Sequence, residues 1–163
     1  MNEAGVIIKI CGLSTEPTLE ATINAGADFA GFVFFEKSPR HIDLEKARRL
    51  SEQASGRIKR VALVVDADDQ RIDEIISALN PEFLQLHGQE TPQRVAKLKK
   101  QFGLPIIKAI GVAGCEDIQE AESFKQDADL LLLDAKPQPG ALAPGGAGAV
   151  FDWRLTQGFS LDK

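Results

Sequence analysis

The 163 residues include no tyrosine, one tryptophan, one methionine and two cysteines. Cys11 and Cys115 lie far apart with no C-x-x-C spacing, so neither a zinc ribbon nor a disulfide framework is indicated, and a reducing cytoplasm suits them best. Apolar runs are short as well. None approaches the roughly 18 residues of a membrane span, and the Met1-Asn2-Glu3 opening followed by Val6–Ile10 lacks the charge and length of a signal peptide. Positive charge is the minority sign, 19 Lys and Arg against 24 Asp and Glu, which argues against a nucleic-acid partner. Glycine and proline follow no repeat, so collagenous and low-complexity classes are excluded. What remains is 44% hydrophobic and 26% charged, the composition of a globular chain expected to form one domain over residues 1–163, with aliphatic side chains and nine Phe for its core.

Short apolar runs recur at Val6–Cys11, Phe29–Phe35, Arg60–Val65, Phe83–His87, Pro105–Ile110 and Leu130–Asp134. They lack strict alternation and read as parallel strands covered on both faces. Helical spacing fills the gaps, at Pro17–Asn24, Asp43–Gln53, Asp69–Leu79, Thr91–Phe102 and about Glu116–Phe124. Six βα units of about 27 residues follow, built with right-handed crossovers. Length favours a doubly wound open sheet, because a (β/α)8 barrel takes at least about 200 residues. The polar residues favour the barrel: Cys11, Ser38-Pro39-Arg40, Asp66, His87 and Asp134 all stand at C-terminal strand ends, which a barrel gathers at one mouth.

Cys11 ends the first strand ahead of Gly12, and Lys9, two residues earlier, faces the same side. A lysine charge beside a thiol favours its reactive anion, although a free cysteine is as often a small buried hydrophobe. Arg40, held behind Pro39, is placed to clamp a carboxylate, or is an ordinary solvated arginine. His87 before Gly88 is a catalyst or a hydrogen-bonded rim residue. Asp134 closes the Leu130–Leu133 run, where partial desolvation lets a carboxyl keep its proton and act as a general acid, or is an ordinary helix-cap or turn aspartate. The following segment, residues 135–150, is rich in Pro and Gly and has no periodicity, as lids and binding loops are. Its Gly145-Gly146-Ala147-Gly148 lacks the lysine of a phosphate loop.

Lys9-Ile10-Cys11-Gly12-Leu13, Gly31-Phe32-Val33-Phe34, Ser38-Pro39-Arg40, Gln85-Leu86-His87-Gly88, Leu132-Leu133-Asp134, and Gly145-Gly146-Ala147-Gly148 followed by Phe151-Asp152-Trp153 together resemble the phosphoribosylanthranilate isomerase family in order and spacing. The resemblance implies a (β/α)8 barrel of tryptophan biosynthesis that performs an Amadori rearrangement on a phosphosugar-anthranilate substrate without metal or cofactor. It also implies Cys11 as base, Asp134 as acid, Arg40 on the anthranilate carboxylate and His87 lining the pocket, while Lys9, on the thiol's side of its strand, is expected to bind substrate. The segment bearing Gly145, Gly146 and Gly148 would close over the substrate. Family members continue past the position of Lys163 with two further βα units that hold the substrate phosphate. The expectation is therefore either an isomerase completed elsewhere, or a catalytically silent (βα)6 unit that self-associates through unpaired edges of its first and sixth strands.

Overall fold

The structure, a computed structural model, describes residues 5–136 and 150–159. Strands β1 (Lys9–Cys11), β2 (Phe29–Phe34), β3 (Lys59–Val64), β4 (Phe83–Leu86), β5 (Ile106–Val112) and β6 (Leu130–Ala135) alternate with helices α1 (Glu16–Asn24), α2 (Leu44–Ala54), α3 (Asp69–Leu79), α4 (Pro92–Phe102) and α5 (Cys115–Glu122). A 3-10 turn, Trp153–Thr156, follows. The strands run in chain order, β1-β2-β3-β4-β5-β6, and the pairs β1-β2, β2-β3 and β5-β6 are parallel. These are the six βα units of the (β/α)8 barrel class, so the open doubly wound order is set aside. Among the described residues no helix is long and apolar enough to cross a membrane.

The chain forms two compact units, Met1–Gln85 and Leu86–Lys163. In the first, α2 packs on α3 and β3, and Phe32, Leu19, Ile42, Leu50, Ile72 and Ile75 are fully buried. In the second, α4 and α5 pack on β5, over Val95, Leu98, Ile106 and Ala121. Side-chain caps start four of the helices. Thr15, Asp43, Asp68 and Thr91 each accept a backbone N–H three residues on, satisfying donors that a helix start leaves unpaired. Asn80 and Gly103 end α3 and α4 in the left-handed conformation.

A recurring carboxylate staple sets the start of the strands. Asp28, just before β2, accepts the Ile8 N–H at 2.8 Å, and Glu82, just before β4, accepts the Arg60 N–H at 2.6 Å. Asp129, just before β6, accepts the Ile106 N–H at 2.8 Å. Each staple satisfies a backbone donor at or next to a strand start. Two of the three carboxylates also hold a cation: Glu82 takes Arg60 at 2.7 Å and Asp129 takes Lys99 at 2.8 Å.

Strand bounds depart from the sequence expectation at β1 and β5. The run Val6–Cys11 pairs only from Lys9, and Val6 and Ile7 are exposed. Apolar composition alone does not make a strand without a partner. Strand β5 runs past Ile110 through Gly111 and Val112, because Gly111 is in register with Asp134 and Val112 with Ala135.

Candidate active site

In the first unit the geometry is organised by two glycines. Cys11 is the last residue of β1, in register with Gly31 of β2. A Cβ on Gly31 would stand 3.0 Å from Cys11 Sγ and 3.2 Å from Lys9 Cε, so the missing side chain is the space that thiol and lysine stem share. Lys9 and Cys11 thus face one side, as their spacing predicts. The Gly31 carbonyl accepts the N–H groups of Gly12 at 2.9 Å and Leu13 at 3.1 Å, which turns the chain directly after the thiol.

Gly12 has φ +85°, and a Cβ there would collide with Arg40 Cδ and lie 3.2 Å from Arg40 Nε. The arginine stem therefore lies across Gly12, next in the chain to Cys11. Arg40 is carried by a built turn. Buried Ser38 donates its N–H to Phe35 O at 2.9 Å and accepts from Arg40 N at 3.2 Å and His41 N at 3.0 Å. Ile42 N returns to Val33 O at 3.0 Å, tying the turn to β2. The turn that carries Arg40 is thus fixed to β2.

In the second unit His87 and Asp134 come together. His87 Nε2 lies 3.7 Å from Asp134 Oδ2, a contact longer than a hydrogen bond, with the His side chain 11% and the Asp side chain 30% exposed. Asp134 Oδ1 accepts the Ala135 N–H at 2.9 Å. The partial burial expected for Asp134 is present. A cavity of about 800 Å³ beside His87 is lined also by Glu90, Lys108, Glu120, Phe124 and Lys136, and Asp134 is not among its lining residues.

Lys136, directly after β6, pairs with Asp117 at 2.8 Å. Asp117 also accepts the N–H groups of Ala113 and Gly114, and the Lys136 ammonium followed by these amides holds its carboxyl below the usual range. The exit of β6 is thereby fixed to the start of α5. Gly145, Gly146 and Gly148 lie outside the described residues. Among the described residues no group of three or more His, Cys, Asp or Glu is arranged to hold a metal ion. Sequence reasoning missed the space-making roles of Gly12 and Gly31. The available signal was a glycine inside or beside a strand, which marks a close approach.

The family described as N-(5'phosphoribosyl)anthranilate (PRA) isomerase matches residues 8–163. An N-(5'-phosphoribosyl)anthranilate isomerase of Rhodopseudomonas palustris is 50% identical over 155 residues, 95% of this chain and 73% of the relative. The enzyme of the same name from Parvibaculum lavamentivorans is 54% identical over 156 residues, 94% of this chain and 72% of its own. Among solved structures, phosphoribosyl anthranilate isomerase of Thermotoga maritima superposes with TM-score 0.80 at 32% identity, over 93% of this chain and 70% of that one. A phosphoribosyl anthranilate isomerase solved with reduced 1-(o-carboxyphenylamino)-1-deoxyribulose 5-phosphate has TM-score 0.73 at 32% identity, over 80% of this chain and 65% of that one.

Proposed function

The chain belongs to the N-(5'-phosphoribosyl)anthranilate isomerase family, and from that membership we propose that Cys11 and Asp134 carry the base and acid steps of its reaction. It is an isomerase of tryptophan biosynthesis with a small-molecule substrate. The reaction we assign is the Amadori rearrangement of N-(5-phosphoribosyl)anthranilate to 1-(2-carboxyphenylamino)-1-deoxyribulose 5-phosphate. Asp134 gives its proton to the ribose ring oxygen as the C1–O bond breaks, leaving an open-chain iminium. The Cys11 thiolate then takes the C2 proton, and the C–H electron pair closes a C1–C2 double bond while the iminium nitrogen recovers its lone pair. Ketonisation moves the 2-hydroxyl proton to C1, by way of the two side chains, and both return to their starting states.

The observation that carries the reading is identity of about half over nearly the whole chain with isomerases of that name. Supporting the roles, Lys9 shares the space above Gly31 with the thiol, and His87 faces the Asp134 carboxylate. Arg40 is assigned to the anthranilate carboxylate, His87 and Lys9 to lining the substrate, and Gly145, Gly146 and Gly148 to a closing loop. The chain is read as a single domain working in the cytoplasm, where its free cysteines Cys11 and Cys115 stay reduced. Exposed Val6, Ile7 and Ile8 just before β1, with exposed Ile10 within it, support self-association through that edge, which sizing chromatography reads.

The reading is tested by incubating the chain with N-(5-phosphoribosyl)anthranilate and resolving the ketose product by chromatography. Product above the uncatalysed rate is expected, and a rate equal to buffer alone overturns it. A second expectation concerns Arg40. Gly12→Ala forces its stem away and strains a positive φ, so KM should rise about tenfold, the loss of roughly 1.4 kcal/mol of carboxylate binding, with kcat changed less. An unchanged KM would remove Arg40 from the carboxylate.

A further inference from the structure

The second unit buries a charge pair that the reaction does not use. Lys108 of β5 and Glu90 of the β4–α4 connection meet at 2.9 Å with their side chains 3% and 4% exposed. Taking two ions out of water is costly, and a salt bridge so deep is weak evidence for stability by itself. Its other bonds show what it holds. Lys108 Nζ donates to Gly88 O at 2.7 Å, and Glu90 Oε2 accepts the Gly88 N–H at 2.9 Å. Both polar groups of one peptide residue, left without ladder partners where β4 ends at Leu86, are thus clamped by a self-neutralising pair.

The residue next to that clamp is His87. Lys108 does not reach His87 or Asp134 through its own face of the sheet. Alternation puts Lys108 on the side of β5 opposite Gly111, and Gly111 is the register partner of Asp134. Lys108 instead lies 5.6 Å over the Phe124 ring, in the layer beneath the helices. The Gly88 backbone, next in the chain to His87, is the link these bonds provide between the pair and the acid.

We propose that Lys108 and Glu90 are positioning residues for the isomerase reaction, fixing His87 against Asp134 by clamping Gly88. The inference rests on the isomerase reading through Asp134, but half of its test needs no turnover. Lys108→Met takes the Lys108 ammonium away from buried Glu90, so Glu90→Asp, which keeps the charge and shortens the reach by one methylene, is the second variant. In both, hydrogen exchange of the Gly88 amide should speed up about tenfold or more relative to amides of β5. The imidazole resonances of His87, one of only two histidines in the chain, should shift as well. In turnover, kcat should fall about tenfold or more with KM within about twofold, because misplacement of a catalytic neighbour is felt in the chemical step. Placed in a His87→Ala background, either substitution should cost nothing further. Unchanged Gly88 exchange, or an equal kcat loss in the His87→Ala background, overturns the proposal. If Lys108→Met does not fold, Glu90→Asp alone decides it. If the parent turns over no substrate, the exchange and imidazole readings still decide whether the clamp holds His87, while the isomerase reading fails on its own account.

Discussion

Replacing Cys11 by alanine, or Asp134 by asparagine, is expected to cut turnover by about a thousandfold or more, since a positioned base or acid contributes roughly 10² to 10⁴ each and this reaction needs both. Neither change should unfold the chain. Cys11 is only partly buried at the end of a three-residue strand, and its backbone register with Gly31 does not depend on the thiol. Asparagine keeps the shape of Asp134 and the oxygen that accepts the Ala135 N–H, so only the transferable proton is lost. The two variants should also stop at different points. Without Cys11 the ring still opens, so the chain should continue to interconvert the two anomers of the substrate through the iminium. Without Asp134 ring opening itself fails, and anomer exchange should fall to the rate in buffer. Exchange spectroscopy on the anomeric proton separates the cases. Turnover within about tenfold of the parent in either variant, with the fold intact, would remove that residue from its role.

Much of this was readable in the residues. Helix α3 spans the expected Asp69–Leu79 because its Ile72, Ile75 and Leu79 stripe is bounded by a capping Asp68 and by Asn80-Pro81. Strand ends were readable because apolar runs stop at polar residues, and His87 and Asp134 indeed meet within one unit. Pairings across long separations were not. Lys108 sits inside the run Ile106–Val112, where periodicity treats it as an interruption, and its partner Glu90 is eighteen residues away with no periodic relation to it. Gly12 and Gly31 carry no chemistry of their own, so a search for reactive side chains passes over them, although the absence of a Cβ is what admits Arg40 and Cys11. Apolarity misled at Val6 and Ile7, where composition matches a strand but β1 begins only at Lys9 and both side chains are exposed.

The largest effect on stability is expected from Glu82, and its direction is the opposite of what exposure suggests. Arg60 is buried, its side chain 6% exposed, while Glu82 is 39% exposed. The guanidinium donates to Glu82 Oε1 at 2.7 Å and to Ser51 Oγ at 2.7 Å, and Ser51 in turn donates to Leu79 O, so one arginine joins β3, α2 and the end of α3. Removing the arginine, as in Arg60→Met, leaves a carboxylate that water can reach and that still accepts the Arg60 backbone N–H. Removing the carboxylate, as in Glu82→Ala, strands a buried cation and a backbone donor together. The second should cost about 3 to 5 kcal/mol and the first about 1 to 2 kcal/mol. At about 2 to 4 °C per kcal/mol for a chain of this size, Glu82→Ala should melt roughly 10 °C lower than the parent. Burial pushes the Glu82 carboxyl up, but the Arg60 side chain and N–H together bring it below its ordinary value. A depressed carboxylate stabilises the fold above its unfolded range and loses that contribution as pH falls through its folded value, so the parent should weaken on acidification more steeply than Glu82→Gln. Denaturant titrations of the three variants across acidic pH measure both effects. Equal losses in Arg60→Met and Glu82→Ala would mean that the arginine is not buried as tightly as its exposure indicates.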